Sequence, residues 1–233
     1  MTGSTNTESS TESSQPTPQA LIIYDWDGTL VDSIGLITST LVSAAHALDE
    51  DLTQNQARHI IGLGLPEAIA FLFPNASQAF AARFQAQYSR LFIAQSAVLQ
   101  PFAEAQAVLE HFERLGCVQA VATGKSRRGL DRQLVQLEWQ SRFAATRCAD
   151  ETASKPHPLM LNQLMETLGF VAGKQVFMVG DTTFDLSMAQ AAGVQAVAVS
   201  SGAHTVEALS SVNPHFIGEN LLAAQTYIQA QLA

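Results

Sequence analysis

Short apolar runs alternate with amphipathic stretches through the second half of this chain, and that alternation limits the folds open to it more than any other feature. Cys117–Ala122, Phe143–Cys148, Gln175–Val179 and Val194–Val199 read as strands. Ala103–Leu115, Arg128–Trp139, His157–Leu168 and Asp185–Ala192 read as helices. In the first of these helices Ala105, Val108, Leu109, Phe112 and Leu115 recur at the helical period. Gly116, Gly169 and Gly193 follow helices where a C-cap glycine is expected. Strands alternating with helices predict a parallel sheet covered on both faces.

An earlier run, Leu21-Ile22-Ile23-Tyr24, reads as a further buried strand and ends at Asp25-Trp26-Asp27-Gly28-Thr29-Leu30. Between it and the alternating half lies a stretch rich in Ala, Leu, Gln and Phe. That stretch is too long for a simple loop. Ile34–Asp49 and Ala76–Gln95 are predicted as two longer helices, with Ile61-Gly62-Leu63-Gly64-Leu65-Pro66 as a turn between them. The expected class is α/β, a Rossmann-like parallel core with an inserted helical cap. Residues 20–33 and 98–233 form the core and 34–97 the cap. Residues 1–19, rich in Ser and Thr, form a disordered tail without the basic and apolar regions of a secretory signal.

Composition narrows the function. The net charge of −9 argues against a nucleic-acid backbone or an anionic membrane as partner. An anionic substrate then has to be held by local devices: a metal, a lysine, helix N-termini. No run approaches the roughly 18 apolar residues of a membrane span. Cys117 and Cys148 have no metal-binding spacing and read as reduced core thiols of a cytoplasmic protein. Nothing in the sequence sets an oligomeric state.

Four polar elements fall at strand ends or helix starts: Asp25/Asp27, Thr123-Gly124-Lys125, Lys155-Pro156-His157-Pro158, and Gly180-Asp181-Thr182-Thr183-Phe184-Asp185. Open α/β sheets place reacting groups at the carboxyl ends of their strands. In this order the four resemble the motifs of the haloacid dehalogenase-like superfamily, over about residues 20–200. The pattern is most similar to its phosphoglycolate phosphatase branch.

That resemblance implies a phosphatase. Asp25 would be a nucleophile forming an aspartyl-phosphate, and Asp27 the acid and base. Of two neighbouring carboxylates one should have a raised pKa, which suits Asp27 if a metal holds Asp25 ionised. Mg²⁺ would be held by Asp25, Asp181, the Asp27 carbonyl and Asp185, unless Asp185 acts through water or only orients Lys155. Thr123 and Gly124 would clamp phosphate, and Lys155 would neutralise charge. Gly62, Leu63 and Gly64 would form the cap loop that meets a small phosphorylated metabolite, with 2-phosphoglycolate as the candidate. A phosphosugar mutase or a non-catalytic phosphate-ligand or protein-binding module on the same fold are the alternatives.

Bland roles are expected elsewhere. Asp32 should support the turn or cap the next helix. The histidines lack metal spacing, although His157 lies beside Lys155. Arg127-Arg128 reads as a solvated helix start.

Overall fold

The computed structural model describes residues 20–96 and 99–232. The expected tail at 1–19 lies outside them. The chain runs β1 (Leu21–Tyr24), α1 (Ile34–His46), α2 (Gln54–His59), α3 (Leu65–Leu72), α4 (Gln78–Gln95), α5 (Ala105–Arg114), β2 (Val118–Thr123), α6 (Arg127–Gln136) and β3 (Ala145–Cys148). It continues through α7 (Leu159–Leu168), β4 (Val176–Gly180), α8 (Thr183–Ala191), β5 (Gln195–Val199), α9 (Val206–Ser211), β6 (Phe216–Gly218) and α10 (Leu221–Leu232).

Among the described residues the strands form one parallel sheet in the order β3-β2-β1-β4-β5-β6. The α/β class expected from the sequence is the observed one. β1 is central because all four of its side chains are apolar or aromatic and fully covered. Ile22 and Tyr24 join the core under α5, α6 and α10, while Leu21 and Ile23 join the core under α7 and α8. Each fully buried aliphatic side chain contributes about 1.5–3 kcal/mol. Tyr24 satisfies its hydroxyl by donating to Gln119 Oε1 at 3.1 Å.

The order reverses between β1 and β4, so a crevice opens beyond their carboxyl ends. Both Leu21–Tyr24 and the partner segments Val118–Val121 and Val176–Val179 run in register there. The N–H of Asp25 donates to the Val179 carbonyl at 2.9 Å, which carries this pairing one residue past the strand.

Helices α1 to α4 pack around a third core that includes Leu41, Ile60, Ile69 and Phe84. Between the two long helices the sequence marks only the turn Ile61–Pro66; the structure adds α2 before it and α3, which begins at Leu65 within it. Thr53 and Gln56 start α2 with a capping box, and Pro66 sits in the first turn of α3. The loop between them keeps only Ile60–Gly64. Beyond β5 the sequence marks no element, whereas the structure has α9, the three-residue edge strand β6 and α10. No helix among the described residues is long and apolar enough to cross a membrane.

Candidate active site

The crevice gathers side chains from four strand ends. Asp25 and Asp27 follow β1, and Thr123 closes β2. Lys155 lies in the segment after β3, and Asp181 follows β4. Asp185 enters from the first turn of α8. All six are buried, as they could not be without partners or a ligand.

Lys155 is the hub. Its Nζ lies 2.7 Å from Asp25 Oδ1 and 2.6 Å from Asp185 Oδ1. Burial works to lower the Lys155 pKa, but the adjacent Asp185 and Asp25 carboxylates outweigh it and raise it. The second oxygen of Asp25, Oδ2, has no hydrogen-bond partner and is buried. Asp185 uses its own second oxygen to accept from the Thr182 hydroxyl at 2.6 Å and the Thr182 N–H at 3.1 Å. It is therefore a capping-box residue with one oxygen turned to the crevice. Thr182, and not Asp181, caps α8.

Asp181 is held by the Thr29 hydroxyl at 2.9 Å and the Ala203 N–H at 2.6 Å. Gly28 permits this approach. It has φ +84°, and a Cβ there would collide with the Asp181 carboxylate. Oxygens of Asp25, Asp181 and Asp185 lie within 4.8 Å of one another. Burial, followed by Asp185, pushes Asp181 up to about 7. Burial also raises Asp25, against the pull of Lys155. Three buried carboxylates facing one ammonium leave an excess of negative charge. With an orphaned oxygen on Asp25, this hard-oxygen set fits a hard divalent cation.

Asp27 has its own cation. Lys125 Nζ stands 2.9 Å from each of its oxygens, and the Ser33 hydroxyl donates to Oδ1 at 2.6 Å. Neither partner was picked out from the sequence. Lys125 lay within the Thr123-Gly124-Lys125 turn, but no local signal tied it to a carboxylate 98 residues away. Ser33 occupies the N-cap position of α1 without capping it. The exposed Asp32, expected to support the turn or cap that helix, does not cap it.

The predicted loop residues divide. Gly62 and Leu63 line the cavity above Asp25 and Asp27, and a Cβ on Gly124 would meet their carbonyls at 2.7 and 2.6 Å. Gly64 instead donates its N–H to Ser154 Oγ at 2.8 Å, beside Lys155. Thr123 is buried and accepts from the Lys125 N–H at 3.2 Å. His157 is exposed and accepts from the Leu159 N–H. Arg127 pairs with Glu151 at 2.7 Å and Asp131 at 3.1 Å.

Residues 22–199 match the family described as haloacid dehalogenase-like hydrolase. The chain is 35% identical over 204 residues to a Dickeya dadantii protein named "Probable phosphatase IndB", covering 84% of this chain and 88% of that one. It is 32% identical over 187 residues to a phosphoglycolate phosphatase of Xanthomonas campestris, covering 76% and 81%. A hydrolase structure from Pseudomonas syringae superimposes with a TM-score of 0.83 at 18% identity, over 91% of this chain and 98% of that one, and so shares the fold. A chain matched over this span, with relatives at this identity, belongs to the haloacid dehalogenase-like hydrolases.

Proposed function

We propose that this chain hydrolyses phosphomonoesters of small metabolites through an aspartyl-phosphate on Asp25. The observation that carries this is the state of the Asp25 carboxylate. One oxygen is pinned to Lys155, and the other is buried without a partner. A carboxylate so held is aimed, and it has a lone pair free for attack.

In the first half-reaction Asp25 Oδ2 bonds to phosphorus as the ester P–O bond breaks. Asp27 gives the departing oxygen its proton. In the second, water attacks the aspartyl-phosphate, Asp27 takes the water proton, and phosphate leaves with Asp25 restored. Ser33 and Lys125 hold Asp27 in position for both transfers. Thr123 and the backbone N–H groups after it receive the phosphoryl oxygens, and Lys155 balances their charge. Asp25, Asp181, Asp185 and the Asp27 carbonyl would hold Mg²⁺, which supplies neutralisation between an anionic nucleophile and an anionic ester. The helical insert acts as a cap that excludes water, with Gly62 and Leu63 against the leaving group. The two free, buried cysteines support a cytoplasmic setting.

The names of the relatives make 2-phosphoglycolate the first compound to assay. The experiment is phosphate release from a panel of phosphometabolites, with and without Mg²⁺, beside Asp25→Asn. Release that needs the metal and disappears in the variant is the expected result. Release that survives Asp25→Asn would remove Asp25 from the chemistry, and no release from any compound would sink the hydrolase reading.

A further inference from the structure

The cavity above Asp25 and Asp27 is larger and less polar than a two-carbon leaving group requires. It measures about 350 Å³, within the range that holds drug-sized ligands. Ile37, Leu41 and Ile60 from the insert supply apolar wall. Phe92 and Tyr88 add an aromatic one, stacked on each other at 5.6 Å and 25°. Lys125 Nζ sits 5.0 Å from the Phe92 ring centre, so this wall begins beside the catalytic carboxylates.

The core side of the same cavity carries Arg128 and Arg132, one turn apart on α6. Neither guanidinium has a hydrogen bond or ion pair among the described residues. Two like charges at this spacing repel each other. Arg128 is exposed and Arg132 half-buried, so in a chain of net charge −9 this couple is a solvated cationic pair, free to receive an anion at the cavity. Two acidic residues also line the rim. Asp150 already accepts the Arg127 N–H at 2.8 Å, and Glu67 projects from α3 on the insert. They leave the arginine couple without a partner of its own.

We infer that the substrate is a phosphomonoester whose leaving group has a ring-sized apolar body and a second anionic group, the body lying against Phe92 and Tyr88 and the anion on Arg128 and Arg132. This rests on the hydrolase reading above and specifies the substrate class. Guanidiniums receive carboxylate or phosphate through paired N–H bonds, which adds orientation to affinity. Binding energy from this remote part of the substrate then seats the ester at Asp25.

The test compares three alkyl phosphates with the full chain and Mg²⁺: 2-phosphoglycolate, benzyl phosphate and 4-carboxybenzyl phosphate. The expected order of kcat/KM places benzyl phosphate above 2-phosphoglycolate and 4-carboxybenzyl phosphate about tenfold above benzyl phosphate. In the double variant Arg128→Gln, Arg132→Gln the ratio between the two benzyl compounds falls to near one. A preference for 2-phosphoglycolate, or a ratio that survives the double variant, overturns the inference. If no compound is hydrolysed, the hydrolase reading fails, and calorimetric titration with 4-carboxybenzylphosphonate decides the subsite by itself. Binding that weakens about tenfold in the double variant supports it. Equal binding, or none to the unmodified chain, overturns it.

Discussion

Arg58 on the helical insert grips Ala203 on the sheet side: its Nε donates to the Ala203 carbonyl at 2.6 Å, and a second guanidinium N–H reaches the Gly202 carbonyl. The N–H of the same Ala203 donates to Asp181 Oδ2 at 2.6 Å. One alanine therefore joins the insert to a carboxylate of the crevice. Such a link would let the position of the insert bias the orientation of Asp181.

We predict that Arg58→Ala weakens the binding of Mg²⁺, raising the half-saturating concentration by about threefold to tenfold, the net scale of one ordinary hydrogen bond, because Arg58 acts on Asp181 only through Ala203. Arg58→Lys should not restore it, since one ammonium cannot address two carbonyls as the planar fork does. A metal titration unchanged in Arg58→Ala would show that the grip is structural only.

The acidic trio gives a prediction read without any substrate. Mg²⁺ should raise the melting temperature of the unmodified chain, because a ligand at about 100 times its dissociation constant adds roughly 2.7 kcal/mol. Asp181→Asn should lose this rise. Without the metal it should melt no lower than the unmodified chain, since it removes a charge whose burial is unfavourable. Thermal unfolding with and without Mg²⁺ checks both parts, and a full Mg²⁺ response in Asp181→Asn would exclude it as a ligand.

Lys155 is the converse case. Lys155→Met strands Asp25 and Asp185, both fully buried, without their shared cation. Breaking a buried pair on one side typically costs about 3–5 kcal/mol. We predict a loss of that order in urea unfolding of the metal-free protein, with much of it returned by Mg²⁺. A variant as stable as the parent would mean that the two carboxylates take up protons without strain.

Acid stability should depend on Glu151. The hydrogen bonds and charge of Arg127 are the main cause holding its carboxyl below the usual glutamate range. A group depressed on folding contributes stability above its unfolded pKa, near 4.5, and loses it as pH falls through the folded value. Glu151→Gln should therefore lower stability at neutral pH by a small amount and flatten the decline below pH about 4.5. Parallel stability–pH curves for the two proteins would refute this. The pair is partly exposed, so added salt should shrink the difference.

Local chemistry determined much of this protein from the sequence alone. Short continuous apolar runs and amphipathic stretches of period 3.6 are written in neighbouring residues, so the parallel α/β core was legible, as were β1, β2, β4 and β5 close to their observed bounds. So were the acidic turn after Tyr24 and the Gly180-Asp181 turn, because strand ends concentrate polar residues. What the tertiary structure decided was pairing. Lys155 meets Asp25 and Asp185, and Lys125 meets Asp27, only because β1 lies between β2 and β4. Which carboxylate is pushed up follows from burial and from which ammonium stands beside it, and neither is a local property. The same holds for Arg58 and Ala203, 145 residues apart. Helices α2, α3 and α9 and strand β6 escaped sequence reading for a different reason: they are short, and tertiary packing, more than intrinsic propensity, holds elements of that length in place. The 12-residue α10 was also not expected from the sequence.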